Sequence, residues 1–270
     1  MKLAYHTITW GGVVGHPGGV TSVKDLYYLA NGSTEEALKD ISDAGYEGFE
    51  LFDGNLAQYA NRTDELRGLM DELGLQMVAV YSGANYIYPE ILEDELSKIE
   101  DAARLAAQLG AVHLVVGGGA VRAAGIQEED YRRLGEGLER TVALADETGL
   151  VASYHPHLGT CVESPEQLDK VFQYTGINFC PDTAHLQAGG GDPAELISTY
   201  GDRIRYVHLK DYEDGSFLPL GQGQLDFSEV LGALRAVRYD GWITIELDSY
   251  EGSSREAAQI SKEFLAERMA

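Results

Sequence analysis

Residues 106–116 read AAQLGAVHLVV: small and apolar residues at helical spacing as far as Leu109, a glycine at 110, then an apolar run that begins at once. Glycine ends a helix in the left-handed conformation at little steric cost, so the stretch predicts a helix that stops at Gly110 and passes directly into a β-strand. The same punctuation recurs as ISDAGYEGFEL (41–51), MDELGLQMVAV (70–80), ADETGLVASYH (145–155), YTGINFCPD (174–182) and RYDGWITIELD (238–248). With the opening KLAYHTI and the segment RIRYVHL, eight strands are predicted, near 2–8, 47–52, 76–81, 111–117, 150–155, 177–181, 204–209 and 242–247.

Helical patterns fill the intervals. In STEEALKDISDA (33–44), Ser33 or Thr34 can cap the first turn, and Ala37, Leu38 and Ile41 form an apolar stripe. Strand, helix, strand throughout means a parallel sheet, and eight repeats in 270 residues predict an α/β fold of one kind: a (β/α)8 TIM barrel, a single domain over 1–270. An open doubly wound sheet would carry a glycine-rich phosphate loop after its first strand. GGVVGHPGG (11–19) lacks both the G-x-G-x-x-G order and a helix directly behind it. The stretch from Gly11 to Gly32 is then the first βα loop, in the position of a lid over the barrel mouth.

The formal charge is −24, which opposes nucleic acid and anionic membrane, since both need clusters of Lys and Arg. MKLAYHTITWGG has no signal-peptide apolar run and no stretch is long enough to span a bilayer, so the expectation is a cytoplasmic protein. Cys161 and Cys180 stand in no CxxC spacing and read as reduced residues in or near the core.

In such a barrel the chemistry sits at the C-terminal ends of the strands. Those ends carry His6, Glu50, Tyr81, the run Tyr154-His155-Pro156-His157, Asp182 with His185, the run His208-Leu209-Lys210-Asp211, and Glu246 with Asp248. Five of the seven histidines fall here; His16, in a loop, and His113, at the start of the fourth strand, read as structural. Polar side chains converging on the mouth of an apolar barrel each cost roughly 1–3 kcal/mol if buried unpaired, which argues for a ligand. Imidazole and carboxylate from four strands suit one divalent metal ion, and the expected ligands are His155, Asp182, His208 and Glu246.

The motifs ITWG (8–11), GYEGFEL (45–51), YHPHLGT (154–160), PDTAH (181–185), VHLKD (207–211) and IELD (245–248), in that order, resemble those of the xylose-isomerase-like TIM-barrel superfamily of sugar phosphate isomerases and epimerases. Within it the likeness is to inosose (keto-inositol) dehydratases. Epimerases of that superfamily hold their metal with Glu, Asp, His and Glu, and their two glutamates shuttle a proton. Asp182, His208 and Glu246 match three of these positions, while His155 stands where an epimerase has its first Glu. The resemblance therefore implies a lyase that takes a proton beside a carbonyl and expels a β-hydroxyl or alkoxide through an enediolate; a keto-sugar isomerase or epimerase is the alternative.

The substrate expected is a small keto-cyclitol or keto-sugar, and the metal Mn2+, with Co2+, Zn2+ and Mg2+ as alternatives. His157 and His185 are candidate bases, because neutral imidazole suits that task; either of them or Lys210 is a candidate proton donor, and Glu246 acts as a base only if loosely held by metal. Lys210 either reaches the mouth or pairs with Asp211. His6 and Glu50 are expected to bind substrate hydroxyls or support other residues, and Tyr81, Tyr86, Tyr88 and Trp10 either to form an aromatic wall or to pack in the core. No Lys, Arg or glycine cluster at the mouth offers a phosphate site. A DNA-repair endonuclease would need a basic groove, and a non-catalytic sugar-binding barrel would need no metal. A homo-oligomer and a small partner subunit both remain open.

Overall fold

The structure, a computed structural model, describes residues 1–11 and 27–269. Its eight parallel strands are β1 Lys2–His6, β2 Gly48–Phe52, β3 Gln76–Ala84, β4 His113–Gly118, β5 Val151–Tyr154, β6 Asn178–Phe179, β7 Val207–Leu209 and β8 Trp242–Ile245. They lie in the order β6-β5-β4-β3-β2-β1-β8-β7. Isolated parallel bridges Phe179–Ile204 and Asp182–His208 join the two ends of that order and close the barrel. Around it run α1 Thr34–Asp43, α2 Asp53–Ala57, α3 Thr63–Leu73, α4 Leu92–Gln108, α5 Glu128–Thr148, α6 Pro165–Val171, α7 Thr183–Ala188, α8 Pro193–Thr199, α9 Phe227–Ala236 and α10 Ser254–Met269.

The local signals act as the chemistry requires. Ser33, not Thr34, caps α1, its hydroxyl accepting from the Glu36 N–H at 3.2 Å. α3 and α5 end on Gly74 and Gly149 with φ of 66° and 77°, the left-handed cap expected. Gly176 and Gly241 do not serve in that way: α6 stops several residues earlier, at Val171, and after α9 the left-handed position falls on Arg238, with φ 59°. One element escaped the sequence reading, a hairpin of Asp211–Glu213 against Ser216–Leu218 directly behind β7. Its turn, Asp214-Gly215, has φ of 48° and 84°, and the Asp-Gly pair was the available signal.

Side-chain alternation along the strands divides the molecule into two layers. Leu3, Tyr5, Phe49, Leu51, Ala152, Tyr154, Val207, Leu209, Ile243 and Ile245 face outward into the helix-covered core. Ala4, Val115, Cys180, Tyr206 and Trp242 fill the barrel interior. Residues in the same parity as these inner ones, further along each strand, rise to the mouth. Cys161 and Cys180 are buried free thiols, as expected.

His113 belongs to the interior layer, its ring 4.7 Å from that of Tyr206. Burial holds it down to about pH 4, against a weaker upward pull from Glu50. Its contribution to stability is complete above the unfolded histidine value of about 6.5 and is lost as pH falls towards 4, about 3 kcal/mol in all. An NMR titration of the histidines should show the His113 ring neutral at pH 5; titration near 6.5 would contradict this account.

Candidate metal centre and active site

Four strand ends bring His155, Asp182, His208 and Glu246 together, all essentially buried. Asp182 is the N-cap of α7: its Oδ1 accepts from the N–H groups of Ala184 and His185 at 3.0 and 2.9 Å, which turns Oδ2 inward. Oδ2 then lies 3.6 Å from His155 Nε2. His208 stands between two carboxylates, with Nε2 2.9 Å from Glu50 Oε2 and Nδ1 2.7 Å from Glu246 Oε2.

The fit of a divalent ion can be tested on these atoms. His155 Nε2 and Asp182 Oδ2 are buried without a hydrogen bond among the described residues, while His208 Nδ1 and Glu246 Oε2 are buried against each other at 2.7 Å. Buried polar atoms are almost always satisfied, so two unpartnered ligand atoms beside an imidazole–carboxylate pair are a donor set that suits a divalent cation. His155, Asp182, His185 and Glu246 also lie close enough to form a ligand group. His185 Nε2 faces the Lys210 ammonium at 3.3 Å, whereas His208 Nδ1 faces the Glu246 carboxylate at 2.7 Å, where an ion could replace the proton they share; His208 is therefore the fourth member favoured on charge.

Without an ion the carboxylates are balanced by protons on His208 and Lys210, and metal binding would have to displace the one on His208. Burial would lower His208, but Glu50 and Glu246 outweigh it and raise the imidazole to about 10. Burial pushes Glu50 and Glu246 up, yet the positive charge beside each wins: His208 holds Glu50 below the usual range, and Lys210 with His208 holds Glu246 well below it. Lys210, fully buried, donates to Glu246 Oε1 at 2.9 Å and Asp248 Oδ2 at 2.7 Å. It also lies 3.6 Å from Asp182 Oδ2. Burial opposes its charge, but Asp182, Asp248 and Glu246 hold the proton more firmly than on a free lysine. Its pairing with Asp211 is thereby excluded. Asp211 instead accepts the N–H groups of Tyr212, Gly221, Gly223 and Leu225, organising the loop behind the hairpin.

His157 and His185 sit beside His155, with their own ring centroids 3.9 Å apart. Burial lowers both, His185 well below the ordinary histidine value, and the neighbouring histidine adds to the effect in each case. His157 Nδ1 lies 2.6 Å from the Leu158 carbonyl, an acceptor, so the proton sits on Nδ1 and Nε2 keeps its lone pair.

Other expectations need correction. Trp10 does not reach the mouth: the short 3-10 turn Thr7–Thr9 interrupts the strand alternation, and the indole packs on Tyr5 and donates to Asp40 at 2.9 Å in the outer core. Tyr86 is also buried in the outer core, with its hydroxyl 3.1 Å from Thr141, and Tyr88 packs against it from the edge. Of the two places expected for Glu50 the structure gives the supporting one: it is fully buried, with Oε2 taken by Tyr206 at 2.8 Å as well as by His208. His6 is fully buried; its Nδ1 accepts from the Ile8 N–H at 2.9 Å, and its ring meets Phe52 edge-on. Tyr81 does line the pocket, in company the sequence reading missed: Ile8, Tyr28 and Phe52, with His157, Glu246 and Asp248 on the polar side. Phe217 of the hairpin covers Lys210 and His185 from above. The lid expected over 11–32 and His16 fall mainly or wholly outside the described residues.

A carboxylate on the far nitrogen of a ligand histidine fixes its tautomer and orientation. Glu50→Gln should therefore weaken divalent-ion binding about 10- to 100-fold, measured by calorimetry, with the fold retained. Unchanged affinity would show that Glu50 is only a structural partner of Tyr206.

The xylose isomerase-like TIM barrel family model matches residues 38–268, and the chain belongs to that family. Inosose dehydratase of Geobacillus kaustophilus (strain HTA426) is 28% identical over 249 residues, spanning 79% of this chain and 80% of the relative. Among solved structures, a zinc-bound IOLI protein has a TM-score of 0.77 at 18% identity, over 99% of this chain and 97% of that one. The probable 3-DHS dehydratase of petrobactin synthesis from Bacillus anthracis has a TM-score of 0.75 at 15% identity, over 98% and 99%. At such identities the structural likenesses show the fold.

Proposed function

We propose that this chain is a divalent-metal-dependent carbon–oxygen lyase that dehydrates a neutral keto-cyclitol or a closely related keto-sugar. The observation that carries the reading is the buried quartet His155, Asp182, His208 and Glu246 next to His157, whose Nδ1–H faces the Leu158 carbonyl and leaves Nε2 with the lone pair. A divalent ion held by the quartet, Mn2+ foremost and otherwise Co2+, Zn2+ or Mg2+, would polarise the substrate carbonyl as a Lewis acid.

The protein's own groups account for the remainder. His157 Nε2 takes the proton from the carbon next to the carbonyl, a role that a neutral imidazole performs near neutral pH. Lys210, held between Glu246 and Asp248, adds fixed positive charge where the enolate oxygen gathers negative charge. Its tightly held proton favours the histidines over Lys210 as the proton donor. The β C–O bond then breaks, and the proton that releases the oxygen as water comes from His157 or from His185 next to it. Burial of the site keeps bulk water from the intermediate. Two-base epimerisation would require a second carboxylate on the opposite face, and β5 supplies His155 there; the inosose dehydratase relatives support the same preference.

Incubation with keto-inositol in D2O, followed by NMR and ultraviolet absorbance, tests the reading. Loss of one hydroxyl with growth of enone absorbance is expected. Deuterium exchange with every carbon substituent retained would overturn it in favour of the epimerase.

A further inference from the structure

Asp248, two residues beyond Glu246, has no assigned part in the chemistry above beyond its hold on Lys210. It is nearly fully buried, and Lys210 Nζ donates to its Oδ2 at 2.7 Å. Its Oδ1 is buried with no hydrogen-bond partner among the described residues, although the residue lines the pocket together with His157 and Glu246. An ionised carboxylate oxygen in that state lacks a donor, and a donor must come from whatever enters the pocket.

Two kinds of occupant could satisfy it. A second metal ion is one, because ligand atoms of His157, His185 and Asp248 lie close together. Charge opposes it: this group has a single carboxylate, Asp248, which already faces the Lys210 ammonium at 2.7 Å, whereas the quartet brings two, Asp182 and Glu246, to balance an ion beside the same ammonium. A hydroxyl group has no such penalty. It donates to Oδ1 and remains neutral, while the apolar side of the pocket, Ile8, Phe52, Tyr28 and Tyr81, offers a surface to the C–H face of a ring.

We propose that Asp248 is a specificity-determining residue: its free Oδ1 accepts a hydrogen bond from one ring hydroxyl of a neutral polyol, and Lys210 fixes the carboxylate in the orientation that presents it. The inference rests on the reading of the substrate as a ring polyol, but not on the dehydration step. A substrate bearing fluorine in place of that hydroxyl keeps its size and an acceptor atom but cannot donate.

The test is a binding cycle with keto-inositol and its monodeoxyfluoro analogues, measured by calorimetry on the His157→Gln background so that turnover does not intervene, with and without Asp248→Asn. In the parent, fluorine at one ring position should weaken binding roughly 10- to 100-fold, the scale of a hydrogen bond to a charged group. In the Asp248→Asn protein the same analogue should lose less than about threefold, because Lys210 claims the amide oxygen and leaves the NH2, a donor, facing the pocket. An equal loss in both proteins, no position that stands out, or no binding of keto-inositol would overturn the proposal. If Asp248→Asn does not fold, Asp248→Ser serves in its place, and the parent series alone still decides whether one position stands out. Binding that follows the expected cycle in a protein whose wild type never dehydrates keto-inositol would sink the lyase and leave Asp248 in its role.

Discussion

Replacing Lys210 with methionine is expected to cost roughly 3–5 kcal/mol of stability, the scale for removing one partner of a buried ion pair. The loss is large because Lys210 is fully buried and lies within 3.6 Å of three carboxylates, those of Asp182, Glu246 and Asp248. Without it, like charges face one another in a medium that screens them poorly. Methionine keeps the length and apolar stem, so the change isolates the charge. Urea denaturation of metal-free wild type and variant reads the difference directly. Added Mn2+ should then raise the midpoint of the variant more than that of the wild type, since an ion that binds only the folded state supplies the missing positive charge. A stability change below about 1 kcal/mol would mean that the cluster is not held together as described.

His157→Gln should lower kcat for keto-inositol by roughly 10²–10⁴-fold, the usual contribution of a general base, with a much smaller change in KM. Glutamine has similar reach and hydrogen-bonding groups but no basic nitrogen. The effect should persist at saturating metal, and metal affinity should stay unchanged, because His157 is outside the quartet His155, Asp182, His208 and Glu246. A loss of less than tenfold would move the base elsewhere, His185 being the nearest neutral imidazole, 3.9 Å away between ring centroids.

Much of this arrangement was legible in the chain because two periodicities are simple. A glycine that halts a helix marks the start of the next strand, and Gly74, Gly110 and Gly149 hold the left-handed backbone that this requires. Alternation along a strand then tells which residues share the barrel interior: Ser153 and His155, Tyr206 and His208, Thr244 and Glu246. Depth was the harder quantity. Strands in a barrel are tilted and staggered, so residues of equal parity do not reach the mouth together. Glu50 shares the inward parity of Phe52 but ends beneath it, where it supports His208 instead of meeting substrate. Trp10 lies beyond the first strand, and the turn Thr7–Thr9 carries it outward, where nearness to the barrel end is no guide to direction. Tyr28 and Phe217 come from segments after the first and seventh strands, and no period predicts where such segments fold back.

The central claim is that a divalent ion in the buried quartet makes dehydration possible. It is tested most directly by removing metal with a chelator, dialysing the chelator away, and following enone absorbance with keto-inositol as Mn2+ is returned in steps. The account predicts no turnover in the metal-free protein and activity that rises to a plateau at one equivalent of Mn2+ per chain. Turnover that is indifferent to metal, or no turnover at any Mn2+ concentration with the protein folded, would contradict it.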